Sequence, residues 1–200
     1  MSLKTKVKVG NITNLSDARY CAGMGVDMLG FRISDIEGQG ISPIKFKEIT
    51  DWISGPEFLI EISEAPSEAM SEKYKVDMFE LPVSKIACQD LVNQKQNFII
   101  SIDLLEWATF QNDLVKNRNK IRYVLVTNSS NLDRAAIKNI VSVIAIHFSV
   151  LIGFAIDVQL LDEYLSWPIA GLALNGSEET SPGMKDYDHL SSILEKLDID

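Results

Sequence analysis

Val7-Lys-Val-Gly-Asn-Ile-Thr-Asn-Leu-Ser-Asp-Ala-Arg-Tyr-Cys-Ala-Gly-Met-Gly-Val-Asp-Met-Leu-Gly-Phe31 is the stretch that decides the fold. Alternation through Lys6–Val9 predicts a short strand, and Gly10-Asn11 ends it. Asn14 or Ser16 is placed to N-cap a helix, with Asp17 in its first turn near the positive end of the helix dipole. Leu15, Ala18, Cys21 and Ala22 recur at helical spacing, and Gly23 or Gly25 supplies the stop. Asp27 to Phe31 turns apolar again, as a strand buried on both faces does. Strand, helix and strand within about 25 residues make a βαβ unit, the building block of parallel sheets.

The remaining chain repeats that step. Strands are predicted at Phe58–Ile62, Met78–Leu81, Phe98–Ile102, Arg122–Val126, Val150–Phe154 and Gly171–Leu174. Between them, helices are predicted from Ser42-Pro43 to Ile53, then at Pro66–Tyr74, Ser84–Asn93, Leu104–Asn117, Leu132–Val141 and Val158–Leu165, with a last one at Tyr187–Leu197. A polar loop, Ser34 to Gly40, follows the second strand. No Pro/Gly/Ser-rich linker divides the series. About eight βα steps predict an α/β fold, a single small (β/α)8 TIM barrel with a closed parallel sheet, spanning residues 1–200 as one domain. An open doubly wound sheet is the runner-up, but it wants a glycine-rich first turn, and only Gly10 stands there.

Composition bounds the partners. At 46% hydrophobic residues the chain can bury a sizeable core, and a formal charge of −9 argues against nucleic acid or an anionic membrane as partner. Ile140–Ile156 is nearly all apolar, yet it is short for a membrane span and carries Ser142, His147 and Ser149. A helix end running into a buried strand explains it better. The N-terminus has no apolar signal segment. Cys21 and Cys88 lack metal-ligand spacing and read as buried free thiols, which fits a reducing, cytoplasmic compartment. No cofactor and no metal site are expected, and the oligomeric state is left open.

In such a barrel, function sits at the C-terminal ends of the strands. Those ends hold Gly10, Asn11 and Thr13, then Arg32, Glu61, Glu80, Asp103, Thr127 with Asn128, Gly153, and Asn175 with Gly176. Glu61, Glu80 and Asp103 are candidates for acid–base work, since clustered carboxylates raise one another's pKa; clustering would equally suit a hard cation. The bland alternative is a solvated rim, paired with Arg32 or Lys8. Backbone amides at Gly153, Asn175 and Gly176, with the hydroxyls of Ser177 and Thr180, are candidates for holding a phosphate. Asn-Gly is also an ordinary turn dipeptide.

The two ends of the chain resemble the phosphoribosylanthranilate isomerase family, small barrels of tryptophan biosynthesis that perform an Amadori rearrangement. Lys8, Ile12, Thr13, Asp17, Ala18, Gly25, Asp27, Leu29, Gly30 and Phe31 match that family's opening in register. Ile41-Ser42-Pro43 is similar to its Val-Ser-Pro, and Asn175-Gly176-Ser177-Glu178 with Ser181-Pro182-Gly183-Met184-Lys185-Asp186 resembles its Ser-Gly-Val-Glu and Ser-Pro-Gly-Val-Lys-Asp. Between Glu64 and Pro168 only the rhythm of elements matches. The resemblance implies a barrel that binds a phosphorylated small molecule. It also implies a base, an acid and a carboxylate-binding arginine at positions held here by Gly10, by Thr127-Asn128 and by Gln39. Ser129-Ser130-Asn131 replaces the family's glycine-rich loop, and Glu80-Leu81-Pro82 stands where the family has Gln-Leu-His. Glycine, threonine and asparagine cannot serve as base or acid at neutral pH. The family's isomerisation is therefore not expected at an enzyme-like rate. Three readings follow: an isomerase with reassigned residues, a different enzyme using the rim carboxylates on a phosphorylated small molecule, or a non-catalytic homologue that binds a ligand or partner.

Overall fold

The computed structural model describes residues 2–33, 40–64, 66–86, 91–130, 132–154, 156–176, 179–181, 184–185 and 187–199. Eight strands close into a parallel barrel in chain order: β1 (Lys6–Gly10), β2 (Met28–Arg32), β3 (Glu57–Glu61), β4 (Met78–Pro82), β5 (Asn97–Asp103), β6 (Ile121–Thr127), β7 (Val150–Ile152) and β8 (Gly171–Asn175). The circle is completed by β1 against β8, where Gly10 pairs with Asn175. The expected (β/α)8 barrel is the observed fold.

Helices α1 (Leu15–Gly23), α2 (Pro43–Thr50), α3 (Glu68–Tyr74), α4 (Trp107–Lys116), α5 (Arg134–Ala145), α6 (Leu161–Leu165) and α7 (Asp188–Leu197) supply the outer layer. Their starts are set by local chemistry. Asn14, Ser42, Ser67 and Asp133 each accept a backbone N–H three residues on, and Pro43 sits at the first helical position of α2. Between β4 and β5 the chain departs from the expected helix. It forms two 3-10 turns, Val83–Lys85 and Leu91–Asn93, where the sequence suggests Ser84–Asn93 as one helix; Cys88 lies outside the described residues. Pro82 fixes the turn entry in extended geometry, and Leu91 N–H is satisfied by Asn117 Oδ1 instead of a helical carbonyl.

Alternation along each strand builds two cores. Met28, Leu59, Met78, Ile99, Tyr123, Leu125, Leu151 and Ala173 fill the barrel interior. Their neighbours, such as Leu29, Ile60, Phe79, Ile100 and Val124, pack outward under the helices. The hydroxyl of Tyr187, just before α7, donates to the buried Asp17 carboxylate of α1 and so ties the last helix to the first. Cys21 is buried and is not in a disulfide. The apolar run from Ile140 resolves into the end of α5 and then β7, and no helix among the described residues is long and apolar enough to cross a membrane. Short antiparallel strands β9 (Glu179–Ser181) and β10 (Met184–Lys185) follow β8.

Candidate functional site

Inside the barrel, near its C-terminal mouth, Lys8 stands between two glutamates. Its Nζ lies 2.7 Å from Glu61 Oε1 and forms an ion pair with Glu80 Oε2. Strand phase explains the meeting. Arg32 on β2, Glu61 on β3 and Glu80 on β4 are lateral register partners, so their side chains share the inward face. Lys8, two residues below Gly10 on β1, belongs to the same phase and reaches upward along its four-carbon stem. All three groups are nearly excluded from solvent, with side-chain exposures of 3% for Lys8, 11% for Glu61 and 17% for Glu80.

Glycines make room for the cluster. A Cβ on Gly10 would sit 2.3 Å from Glu61 Oε1, and a Cβ on Gly30 would sit at the same 2.3 Å from that oxygen. Glu61 therefore fills the space that side chains on β1 and β2 would otherwise take. Beyond Gly10 the backbone turns through a left-handed residue, Asn11 at φ 56°, a conformation that asparagine tolerates better than most. That turn aims the Asn11 N–H at Glu61 Oε2, 3.3 Å away, while Arg32 Nε stands 4.0 Å from the same atom.

Burial and neighbouring charges perturb Glu80 and Lys8. Burial pushes the Glu80 carboxyl above its ordinary value, Lys8 opposes this, and the nearby Glu61 adds to it; the net direction is upward. For Lys8, burial acts downward but is outweighed by Glu80 and Glu61, so the ammonium is held above its usual range. Burial and the neighbouring Glu61 favour the protonated form of Glu80 relative to a free glutamate, while Lys8 and Arg32 act against it. The arrangement thus places two carboxyl groups on one wall, bridged by an ammonium, with Glu61 Oε2 accepting the Asn11 N–H.

The third candidate carboxylate stands apart. Asp103 lies four residues beyond Ile99, the register partner of Glu80, which is about 13 Å along the strand. Its oxygens accept Ser129 N–H at 2.7 Å, Ser129 Oγ–H at 2.6 Å and Leu105 N–H at 3.0 Å. Burial alone would raise its pKa, but these donors hold it below the usual carboxylate value. Asp103 accordingly braces the β5 and β6 exits. Thr127 and Asn128 are occupied in a similar way: Thr127 Oγ1 donates to Ile102 C=O at 3.4 Å, and Asn128 Oδ1 accepts Leu132 N–H at 3.0 Å.

Gly153 and Gly176 lie where the sequence places them, after β7 and β8, and Gly176 sits directly beside Gly10 of β1. Gly153 N–H donates to Val126 C=O at 2.9 Å and Gly176 N–H to Gly10 C=O at 2.8 Å. Both amides are engaged, so an anion on this side would have to be held by other donors. Asn175 is exposed, with its Oδ1 3.3 Å from the point where a Gly10 Cβ would lie. Ser177, Gln39 and the loop through 34–39 lie outside the described residues, as do the side chains from 177 to 186.

Lys8 is the residue that sequence reasoning undervalued. Its signal is a lysine flanked by Val7 and Val9 in a strand otherwise destined for burial. Lysine is almost never fully buried without a partner. Among the described residues, no group of three or more His, Cys, Asp or Glu is arranged to hold a metal ion.

No family model and no curated protein sequence matches the chain. Solved structures do. Phosphoribosyl anthranilate isomerase from Thermus thermophilus superposes with a TM-score of 0.71 at 20% identity, covering 96% of this chain and 98% of that one. The Thermotoga maritima isomerase gives 0.72 at 13% identity, with 96% and 98% covered. A thiamine phosphate pyrophosphorylase from Pyrococcus furiosus gives 0.61 at 14% identity, with 97% of each chain covered. At these identities the likeness is one of fold, a small closed (β/α)8 barrel.

Proposed function

We propose that this barrel is an acid–base enzyme acting on a small phosphorylated molecule, with Glu61 and Glu80 as its proton-transfer pair. The observation that carries this reading is the Lys8-bridged pair of glutamates beside Gly10, at the end of the barrel where enzymes of this fold keep their chemistry. In the family that the sequence resembles, a base projects from the position of Gly10. Here the carboxylate of Glu61 occupies that space. In an isomerisation Glu61 would accept a proton from the carbon beside a carbonyl, and Glu80 would give its proton to the carbonyl oxygen. Returning a proton to the neighbouring carbon, and one to Glu80, completes the rearrangement with no net change of atoms.

The reading does not extend to phosphoribosylanthranilate as substrate. Thr127 and Asn128 are no acid, and their polar groups brace the backbone. Support for a phosphorylated ligand comes from the fold likeness to proteins named for phosphorylated substrates.

The deciding experiment follows deuterium from D2O into a panel of phosphorylated aldoses, ketoses and amino sugars by NMR, with phosphoribosylanthranilate included and its turnover measured separately. Wild-type protein should wash label into one member of the panel, and Glu61→Gln should slow this by about 10²–10⁴-fold. Turnover of phosphoribosylanthranilate within the usual ~1–10³ s⁻¹ band would overturn the exclusion of that substrate. Absence of exchange from every member, together with no ligand-induced rise in Tm, would favour the non-catalytic homologue.

A further inference from the structure

We infer that the anionic group of the substrate docks on the β1–β2–α2 side of the mouth, in a cavity walled by Arg32 and Lys45. This cavity has a volume of about 280 Å³ and is lined by Asn11, Thr13, Arg32, Gly40, Ile41 and Lys45 among others. That is just below the ~300–1,000 Å³ range of ligand pockets, the size for a head group and a few carbons. Among its described lining residues two are cationic and none is acidic, in a chain whose formal charge is −9.

Neither cation is saturated by an acid among the described residues. Arg32 is 62% exposed, and its one described ion pair, to Glu61, is at 4.0 Å, the outer limit of such a contact. Lys45 forms no ion pair with a described residue and stands in the first turn of α2, where the helix dipole adds positive charge. A planar guanidinium beside an ammonium suits a phosphate or carboxylate, the first by paired hydrogen bonds and the second as a point charge. The described amides of Gly153 and Gly176 already donate to carbonyls.

The site also sits correctly for the chemistry. Asn11 lines the cavity and donates its N–H to Glu61 Oε2, and Arg32 approaches that same oxygen. An anion held there places the atoms next to it against the Glu61 carboxylate. Its place in catalysis rests on the acid–base reading above, but its existence as a binding site does not.

The test is an amide NMR titration of the full chain with inorganic phosphate and, separately, acetate, at constant ionic strength against chloride. Saturable shifts centred on the Asn11, Gly40 and Ile41 amides are expected, with affinity lowered about tenfold or more by Arg32→Gln. Lys47→Gln, on the far face of α2 and paired with Asp51, should leave it unchanged. Tighter phosphate than acetate would identify a phosphate head group, and the reverse a carboxylate. Binding that persists in Glu61→Gln keeps this inference even if no substrate exchanges deuterium. Saturable shifts confined to Gly153 and Gly176, or shifts no larger than those from chloride, would overturn it.

Discussion

Gly10 and Glu61 share one volume: a methyl group on Gly10 would lie 2.3 Å from Glu61 Oε1, with Lys8 Nζ only 3.1 Å from the same point. A side chain at position 10 and the buried lysine–glutamate cluster are thus mutually exclusive as the barrel stands. Glycine at position 10 is the local condition for bringing a carboxylate in from β3.

Gly10→Ala is expected to destabilise the protein by about 1–3 kcal/mol, the usual cost of forcing an added carbon into a packed interior. In a Glu61→Ala background that cost should largely disappear. Urea midpoints for the four members of the cycle provide the measurement; equal penalties in both backgrounds would show that the two residues do not compete.

Lys8→Met leaves two buried carboxyls without their cation. A loss of about 3–5 kcal/mol at neutral pH is expected, as when one partner of a buried pair is removed. Wild-type stability from Lys8 is fully present below its ordinary value of 10.5 and is lost as pH rises through the higher folded value. The alkaline limb of the wild-type stability curve should therefore carry a component that Lys8→Met lacks.

Glu80 gives an acid-side signature. Its folded pKa is raised above the ordinary 4.5, so between those two values the folded protein keeps a proton that the unfolded chain has lost. This contribution is fully present below 4.5 and declines as pH rises through the folded value. Glu80→Gln should flatten that decline. Superimposable urea midpoints from acid to neutral pH for the two proteins would show that Glu80 is not the group holding the proton.

Two glycines should respond oppositely to alanine. A Cβ on Gly171 would lie 2.1 Å from the backbone oxygen of Lys6, so Gly171→Ala has to displace β1 from β8 and should cost several kcal/mol. Gly23 closes α1 with nothing within 4 Å of its Cβ position, and Gly23→Ala should stabilise by about 0.4–1 kcal/mol. Thermal unfolding of both variants checks the pair, and a stabilised Gly171→Ala would contradict the strand spacing.

Much of the architecture was legible because it is local. Periodicity and caps located β1, α1 and β2, and Ser42-Pro43 marked the start of α2 where the structure has it. Ser84 suggested a helix start in the β4–β5 connection, but its described residues form two 3-10 turns, with Pro82 extended before the first and Leu91 N–H bonded to Asn117 Oδ1 in the second. Among the rim carboxylates, Glu61, Glu80 and Asp103 looked alike, since each ends or nearly ends a strand.

What the sequence by itself determined is the order of the eight barrel strands, most of the helices between them and the residues at the strand ends, all set by interactions a few residues long. Only the tertiary structure decided which of those residues meet. Barrel closure and register bring Lys8 to Glu61, 53 residues away, and put Glu80 in the same inward phase while Asp103 is held apart by Ser129. The same closure commits the Gly176 amide to the Gly10 carbonyl and clears the space over Gly10 that Glu61 fills. Such contacts depend on strand phase, where a slip of one residue turns every side chain to the other face of the sheet.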